Sequence, residues 1–404
     1  MILKMAFRNV FRRKRRSLLT ALSMFGGFVL AAFFIGFPDG SYNHIIDAFT
    51  RTRLGHIQIH HHEYLETPSL YRTVDNPGRL GDILDKTEEI ENWTPRLYSA
   101  GLAAAKEKSA GVRIIGVHPQ QEHRTTGFGN RIVEGKSFSS STAKETIIGK
   151  GLAKLLHAGI GNDIVIISQA ADGSIANERY GVVGILDSGN EVDDRSAFYL
   201  PLNEAQELLV LGERVHEIAM VVTKLGRVGA ITRNLRTRIG SSEIQVAPWQ
   251  EFAESFYKAM KADQEGMWIM LLVIVLVVAV GILNTVLMSV LERQREYGML
   301  RAVGTRPGQI VRLVLAEVMI LAAFCIAAGT LAGLLINHVF SLKGIRFADA
   351  FTYGGMAFET IRTEINLRSF TIPTATVLLS ALLVSLIPAL KAAHTDPARS
   401  MRIH

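Results

Sequence analysis

Four apolar segments, each long enough to cross a bilayer, constrain this fold more than any other feature. A helix rises about 1.5 Å per residue and the hydrocarbon core is about 30 Å thick, so about 20 apolar residues span it. The predicted transmembrane helices 1 to 4 cover residues 17–37, 267–291, 313–336 and 370–390. This pattern predicts an α-helical membrane protein with a 1+3 helix arrangement and a large domain inserted between helices 1 and 2.

Basic residues predict the orientation of these helices. They cluster in residues 1–16 (Lys4, Arg8, Arg12, Arg13, Lys14, Arg15, Arg16), in residues 292–312 (Arg293, Arg295, Arg301, Arg306, Arg312) and in residues 391–404 (Lys391, Arg399, Arg402). Short cytoplasmic loops are enriched in Lys and Arg. We therefore expect these three segments on the cytoplasmic side of the membrane, and residues 38–266 and the short loop 337–369 on the opposite, outer side.

The sequence disfavours two other roles for the basic N-terminus: a cleaved signal peptide and a nucleic-acid-binding segment. The apolar run after it is longer than that of a signal peptide and lacks a small-residue cleavage site, which favours an uncleaved anchor. The formal net charge is +7, but no nucleic-acid reader motif accompanies the basic residues, so we do not expect nucleic-acid binding.

Two residues of the predicted third span need separate comment. An ionised carboxylate is costly in hydrocarbon, so we expect Glu317 at the cytoplasmic interface. Cys325 is the only cysteine and excludes an intramolecular disulfide. Residues 38–266 must therefore fold on an apolar core, and a segment of this size predicts two subdomains.

Mixed periodicities predict an α+β extracytoplasmic domain. Residues 42–54 have helical spacing and extend the first membrane helix, whereas residues 55–64 alternate as a strand. Further strands are predicted at 111–117, 146–148, 163–168, 180–185, 197–200 and 218–222, and helices at 77–91, 151–157, 203–209 and 228–239. The region of about 130–187 is predicted to be a strand-rich insert.

Histidines in the first predicted strand raise the possibility of a metal site. Alternation places His56, Gln58 and His60 on one face, and His61 and His62 follow. We interpret this face as a solvated polar surface. A membrane-anchored metalloenzyme remains the enzyme alternative.

Two other segments resemble known sites only superficially. Five residues separate Gly129 from Gly135, whereas a phosphate-binding loop has four between its glycines, which favours a surface turn. The acidic residues Asp187, Glu191, Asp193 and Asp194 lack the spacing of a calcium loop, which favours an exposed turn. We therefore predict no catalytic residue, metal or cofactor site in this chain.

Residues 291–317 form the most specific short segment. Its helix-forming residues predict that the second membrane helix continues into the cytoplasm until Gly304. Thr305 is a suitable N-cap and Pro307 suits the first turn of a short new helix near the membrane surface. A conformational change in a cytoplasmic partner could act on such a helix–break–helix element.

This segment closely resembles the coupling region of ABC transporter permeases of the MacB/FtsX type. The positions that match their pattern are Glu292, Arg293, Glu296, Gly298, Arg301, Ala302 and Gly304, and a C-terminal pattern matches Pro388, Ala389, Ala392, Asp396, Pro397, Ala398 and Arg402. Segments of the inserted domain, such as residues 55–66 and 147–166, are similar to the lipoprotein-releasing LolC/LolE branch.

The resemblance implies a permease subunit without enzymatic activity. A separate cytoplasmic ABC ATPase dimer would bind ATP and Mg²⁺, and its stroke would act on the coupling segment, including Thr305, Arg306, Pro307 and Glu317. The other implied partners are a second permease copy or paralogue, membrane lipids, a lipoprotein or other amphiphilic cargo, and a periplasmic acceptor or adaptor protein. The implied external domain has a porter-like part and a strand-rich insert.

Three residues within the membrane spans have predicted packing roles, and two alternative functions are compatible with the sequence. Gly26 and Gly27 in the first span, and Asn284 in the second, favour close helix packing or a dimer seam. Alternative functions are a transmembrane signalling scaffold that regulates a periplasmic partner and a MacB-like efflux component.

Overall fold

The computed structural model describes residues 2–12, 14–353 and 356–395. Its helices are α1 Ile2–Arg12, α2 Lys14–Phe49, α3 Pro77–Asp85, α4 Pro119–Thr126, α5 Lys150–Leu156, α6 Glu191–Asp194, α7 Leu202–Leu208, α8 Val228–Ile239, α9 Trp249–Phe252, α10 Glu254–Glu292, α11 Gln294–Ala302, α12 Pro307–Lys343 and α13 Arg368–Ala393. Its strands are β1 Ile57–His61, β2 Ile90–Ala105, β3 Lys108–Val117, β4 Ile132–Gly135, β5 Glu145–Gly149, β6 Asp163–Gln169, β7 Ile175–Leu186, β8 Ala197–Pro201, β9 Glu217–Val222, β10 Ile244–Pro248, β11 Ile345–Tyr353 and β12 Met356–Ile361.

The chain divides into two compact units. The membrane unit contains residues 1–42, 260–346 and 360–404, and the external unit contains residues 43–259 and 347–359.

Four long apolar helices dominate the membrane unit. The segments Ser17–Leu54, Glu254–Glu292, Pro307–Lys343 and Arg368–Ala393 are each long and apolar enough to cross a membrane. Each of the four helices extends beyond its predicted span at both ends. Together with the large external unit, they confirm the predicted 1+3 fold class.

Close contacts between small and large side chains hold the membrane helices together. A Cβ added to Gly27 of α2 would lie 2.1 Å from Val278 Cγ2 of α10. A Cβ on Gly329 of α12 would lie 2.6 Å from the Phe28 ring of α2. Glycines at these positions let the helix backbones approach closely. Such close packing drives helix association in lipid, where the hydrophobic effect between helices is weak.

The basic N-terminal segment forms an amphipathic helix of its own. Its apolar residues Leu3, Phe7 and Phe11 recur every four residues and remain largely exposed. The rings of Phe7 and Phe11 lie 6.3 and 6.1 Å from that of Phe324 on α12. Such a helix is suited to the lipid–water interface, with its basic side chains in the headgroup region.

Ten strands of the external unit join one mixed sheet. The path runs β10-β1-β9-β2-β3-β8-β5-β7-β4, and β6 pairs with both β2 and β7. Six of these strands form a closed ring. Each pairs with the next in the order β2, β3, β8, β5, β7, β6, and β6 pairs with β2 again. Closure leaves these strands without unpaired edges.

Cross-strand register separates the two faces of this ring. Phe198 lies opposite both Ile114 and Ile148, so the three buried side chains share one face. The ring of Tyr180 lies 6.2 Å from that of Phe198. The neighbours Ile115 and Tyr199 point to the opposite face, where a cavity lies.

The prediction of a solvated histidine face on β1 is wrong. His56, Gln58 and His60 are at most 3 % exposed. His56 Nδ1 accepts the N–H of Val222 at 3.0 Å, and His60 Nε2 lies 2.8 Å from Gln58 Oε1. Tyr64 stacks on His60 and covers it. The described residues contain no group of three or more His, Cys, Asp or Glu that could hold a metal.

Three other expectations for the external unit are also corrected. The helix predicted over 77–91 ends at Asp85, and β2 starts at Ile90. Asp194 is buried rather than exposed. Both of its carboxylate oxygens lie 3.1 Å from the Ser188 nitrogen and accept its N–H, which compensates for the burial. The strands β4 to β7 of the strand-rich region join the same sheet as the others, so two separate subdomains do not form.

Candidate coupling site

The segment after the second membrane helix contains two breaks rather than one. Helix α10 ends at Glu292, Arg293 leaves the helical conformation with φ −99° and ψ 11°, and α11 follows from Gln294 to Ala302. The expectation of an unbroken rod up to Gly304 is therefore wrong. The second break, at residues 303–306, separates α11 from α12.

Gly304 ends α11 as expected. Its φ of +99° is readily adopted by glycine but rarely by residues with a side chain. The N–H of Thr305 donates to the carbonyl of Leu300 at 3.0 Å, which closes the helix end in the manner of a Schellman motif.

The helix that follows differs from the prediction. Arg306, not Thr305, is the N-cap, and its N–H donates to Gln309 Oε1 at 3.0 Å. Pro307 is the first residue of α12, as predicted, but α12 continues without interruption to Lys343. The expected short surface helix is thus the first part of the third membrane helix.

A buried ion pair joins the first break to α12. Arg293 Nη1 donates to Glu317 Oε2 at 2.6 Å, and Arg293 Nε donates to Glu296 Oε2 at 2.8 Å. The side chains of Arg293 and Glu317 are 8 % and 15 % exposed, whereas that of Glu296 is 42 % exposed. The guanidinium also lies 5.0 Å from the ring centroid of Tyr297. Pairing explains how Glu317 is accommodated ten residues into a membrane helix.

Glu317 also contacts the N-terminal helix. Its Oε1 accepts Asn9 Nδ2 at 2.6 Å, so one carboxylate links α1, the α10–α11 break and α12. Glu317 and Arg293 line a small polar cavity of about 70 Å³ with Asn9, Thr20 and Thr285. Sequence reasoning missed Asn9, because nothing local connects it with a residue 308 positions away.

Arg301 fastens α11 to the last membrane helix. Its Nη1 donates to the carbonyl of Ala393 at 2.5 Å, at the C-terminus of α13. A cation at a helix C-terminus satisfies a free carbonyl and interacts favourably with the helix dipole. The C-terminal motif residues Asp396, Pro397, Ala398 and Arg402 lie outside the described residues.

The tip between α11 and α12 is exposed and apolar. Val303 is 89 % and Met299 53 % exposed. Ala302, Arg306 and Pro307 are also exposed, whereas Gly298 is buried against the rest of the unit. We call Met299, Ala302, Val303 and Gly304 the tip surface. The predicted set did not include Val303, although it lies between two of its members.

The residues predicted to pack helices separate into two groups. Gly27 lies at the α2–α10 contact, but Gly26 is exposed, with nothing within 4 Å of an added Cβ. Asn284 lies on the exposed face of α10 and makes no hydrogen bond to another described residue. The predicted role of Asn284 at a dimer seam stays a prediction.

Comparison with family models identifies the chain. The MacB-like periplasmic core domain matches residues 17–238, more than half of the sequence, and the FtsX-like permease C-terminal domain matches residues 268–397. This chain belongs to the MacB/FtsX family of ABC transporter permeases. The predicted recognition is confirmed, and the second match covers the whole coupling segment.

Relatives of this permease include LolC, LolE and MacB proteins. The lipoprotein-releasing system transmembrane protein LolC of Neisseria meningitidis is 21 % identical over 322 residues, covering 76 % of this chain and 77 % of LolC. LolE of Haemophilus influenzae is 23 % identical over 365 residues, covering 85 % of each chain. The macrolide export ATP-binding/permease protein MacB 1 of Aeromonas hydrophila is 27 % identical over 289 residues, covering 68 % of this chain and 41 % of MacB 1.

Proposed function

We propose that this permease converts the stroke of a separate cytoplasmic ATPase dimer into movement of a lipoprotein or another amphiphilic cargo at the outer face of the bacterial inner membrane. ATP and Mg²⁺ are bound by the ATPase, and both termini of the permease are cytoplasmic. The similarity to LolC and LolE over most of each chain favours lipoprotein as the cargo.

The observation that carries this proposal is that polar contacts attach the segment bearing the tip surface to the membrane helices α12 and α13. The exposed apolar side chains of the tip surface offer a contact for a partner. Behind them, Arg293 is paired with Glu317 on α12, and Arg301 is bonded to the end of α13. A force on the tip is therefore transmitted to three membrane helices rather than absorbed by a loose loop.

Gly304→Pro tests the coupling role. Proline fixes φ near about −65°, far from the φ of +99° at Gly304, so the substitution changes how α11 joins α12. We expect the variant to copurify with its ATPase and hydrolyse ATP, but to lose most cargo movement. Release of a diacylated lipoprotein from spheroplasts and macrolide resistance of intact cells would be measured in parallel.

Gly308→Ala is the matched control. Gly308 lies four residues further on, within the first turn of α12, and has nothing within 4 Å of an added Cβ. Alanine favours the helix there, so cargo movement should stay normal. Normal cargo movement by Gly304→Pro would refute the coupling role. Macrolide resistance without lipoprotein release by the unaltered permease would instead favour the efflux alternative.

A further inference from the structure

A cavity of about 800 Å³ lies in the external unit, on the face of the strand ring that carries Ile115 and Tyr199. Its floor is formed by Tyr98 of β2, Ile115 of β3 and Tyr199 of β8, which are direct neighbours in register. The segments Thr50–Leu54 and Phe128–Arg131 complete the wall. The lining combines aromatic rings with four arginines and three carboxylates.

One of these arginines is fully paired. Arg96 donates from Nε and Nη2 to the Glu122 carboxylate at 3.0 and 2.7 Å, and from Nη1 to Glu217 at 2.9 Å. All three residues are buried. Two carboxylates thus surround one guanidinium, and Arg96 has no need of a further anion.

The other three arginines share a single carboxylate. Asp193 accepts Arg113 Nη2 at 3.2 Å through Oδ1, and it pairs with Arg53 through Oδ2. Arg131 has no carboxylate within 4 Å among the described residues; its Nη2 lies 3.4 Å from Thr126 Oγ1. The charges of Arg113 and Arg131 both repel that of Arg53. Asp194 attracts both Arg53 and Arg131, and Glu122 attracts Arg131, but neither carboxylate forms an ion pair with them within 4 Å among the described residues. Among the side chains that line the cavity, the four arginines exceed the three carboxylates by one positive charge.

Two guanidinium nitrogens in this part lack acceptors. Arg53 Nη1 and Arg131 Nε are buried without a hydrogen-bond partner among the described residues. Burial lowers the pKa of Arg131, although a guanidinium stays charged at neutral pH. Leaving a buried, charged donor unsatisfied is costly unless an anion accepts its hydrogen bond.

We propose that this cavity binds an organic oxyanion. Its phosphate or carboxylate head would accept hydrogen bonds from Arg53 and Arg131, since guanidinium groups match both anions in geometry. Its apolar body would lie against Tyr64 and Tyr199. The volume suits a small organic molecule. The proposal rests on the external unit alone and is independent of ATPase coupling.

Calorimetric titration of the full-length permease in a non-ionic detergent tests this site with three probes: phenyl phosphate, benzoate and inorganic phosphate. We expect one binding site per chain for at least one of the two aromatic anions, and weaker binding of inorganic phosphate. Arg131→Gln should weaken binding of the aromatic anion roughly tenfold to a hundredfold, because it removes a charged hydrogen-bond donor. Arg124→Gln, an exposed arginine on α4 outside the cavity, should leave it unchanged.

A second variant changes affinity in the opposite direction. Asp193→Asn removes the carboxylate that competes for Arg53 and Arg113, so it should tighten binding several-fold, a gain that misfolding cannot produce. Thermal unfolding of each variant checks its fold. Absence of saturable binding to the unaltered permease, or equal affinity in Arg131→Gln, would overturn the proposal. Inorganic phosphate binding as tightly as phenyl phosphate would overturn the organic part of it.

Discussion

The Arg293–Glu317 pair places two largely buried charges in the membrane unit, where each lowers the cost of burying the other. Removing one partner leaves the remaining charge buried, whereas an exposed pair contributes little. The exposed fraction distinguishes the two carboxylates that accept from Arg293, since Glu317 is 15 % and Glu296 42 % exposed. Glu317 should therefore carry most of the stabilisation.

Glu317→Gln is expected to lower the free energy of unfolding by about 1–3 kcal/mol, because the buried Arg293 keeps only the more exposed Glu296 as a carboxylate partner. Glu296→Gln, the matched control, should lower it by less than about 1 kcal/mol. Denaturant unfolding in mixed micelles measures both. Adding Arg293→Met to Glu317→Gln should restore part of the loss, and an equal loss in the two single variants would contradict this ranking.

Individual residues also set the limit of sequence prediction. Alternation placed His56, Gln58 and His60 on one face, and the 2.8 Å contact between His60 Nε2 and Gln58 Oε1 agrees with this for the latter two. It could not indicate that Tyr64 and Phe252 would cover that face, because covering depends on how distant elements pack. In the same way, the spacing of basic and acidic residues could not show that Arg293 binds a carboxylate 24 positions away.

At the scale of elements, long periodic segments were predictable and tertiary breaks were not. The apolar runs predicted all four membrane helices, and Gly304 marked a helix end. Residues 291–304 have helix-forming composition throughout, yet the helix breaks at Arg293, where the side chain pairs with α12. Strand β2 was missed because its own residues, including Pro95 and Gly101, favour strands weakly; it is stabilised by β3, β6 and β9.

Helix packing makes a paired prediction for neighbouring glycines. Gly27→Ala would place a Cβ 2.1 Å from Val278 Cγ2, so α2 and α10 must separate, at a cost of about 1–3 kcal/mol in unfolding free energy. In Gly26→Ala the added Cβ meets nothing within 4 Å, so this variant should keep its stability or gain up to about 1 kcal/mol, since alanine favours a helix over glycine. Denaturant unfolding of the two variants side by side measures the difference. Equal stabilities would show that the α2–α10 contact tolerates a methyl group.

At the scale of the whole molecule, features encoded by local sequence were predictable, whereas features that depend on distant strand pairings were not. The sequence indicated the fold class, the family and the segment with the tip surface, because membrane span length and short motifs are local properties. The ring of six strands and the arginine-lined cavity depend on pairings between distant segments. Local patterns do not encode such pairings, so the candidate oxyanion site emerged only from the fold.

The proposed topology makes one further prediction about assembly, which compares two exposed valines. Val303 on the tip surface is 89 % exposed, and Val192 on the external unit is 77 % exposed. If the tip docks into the cytoplasmic ATPase, Val303→Asp places a charge in an apolar contact and should reduce copurification of the ATPase in mild detergent about tenfold or more. Val192→Asp carries the same chemical change on the opposite side of the membrane and should leave copurification intact. Quantitative mass spectrometry of the purified complexes measures the ATPase-to-permease ratio. Loss of the ATPase in Val192→Asp, with retention in Val303→Asp, would reverse the orientation proposed for this permease.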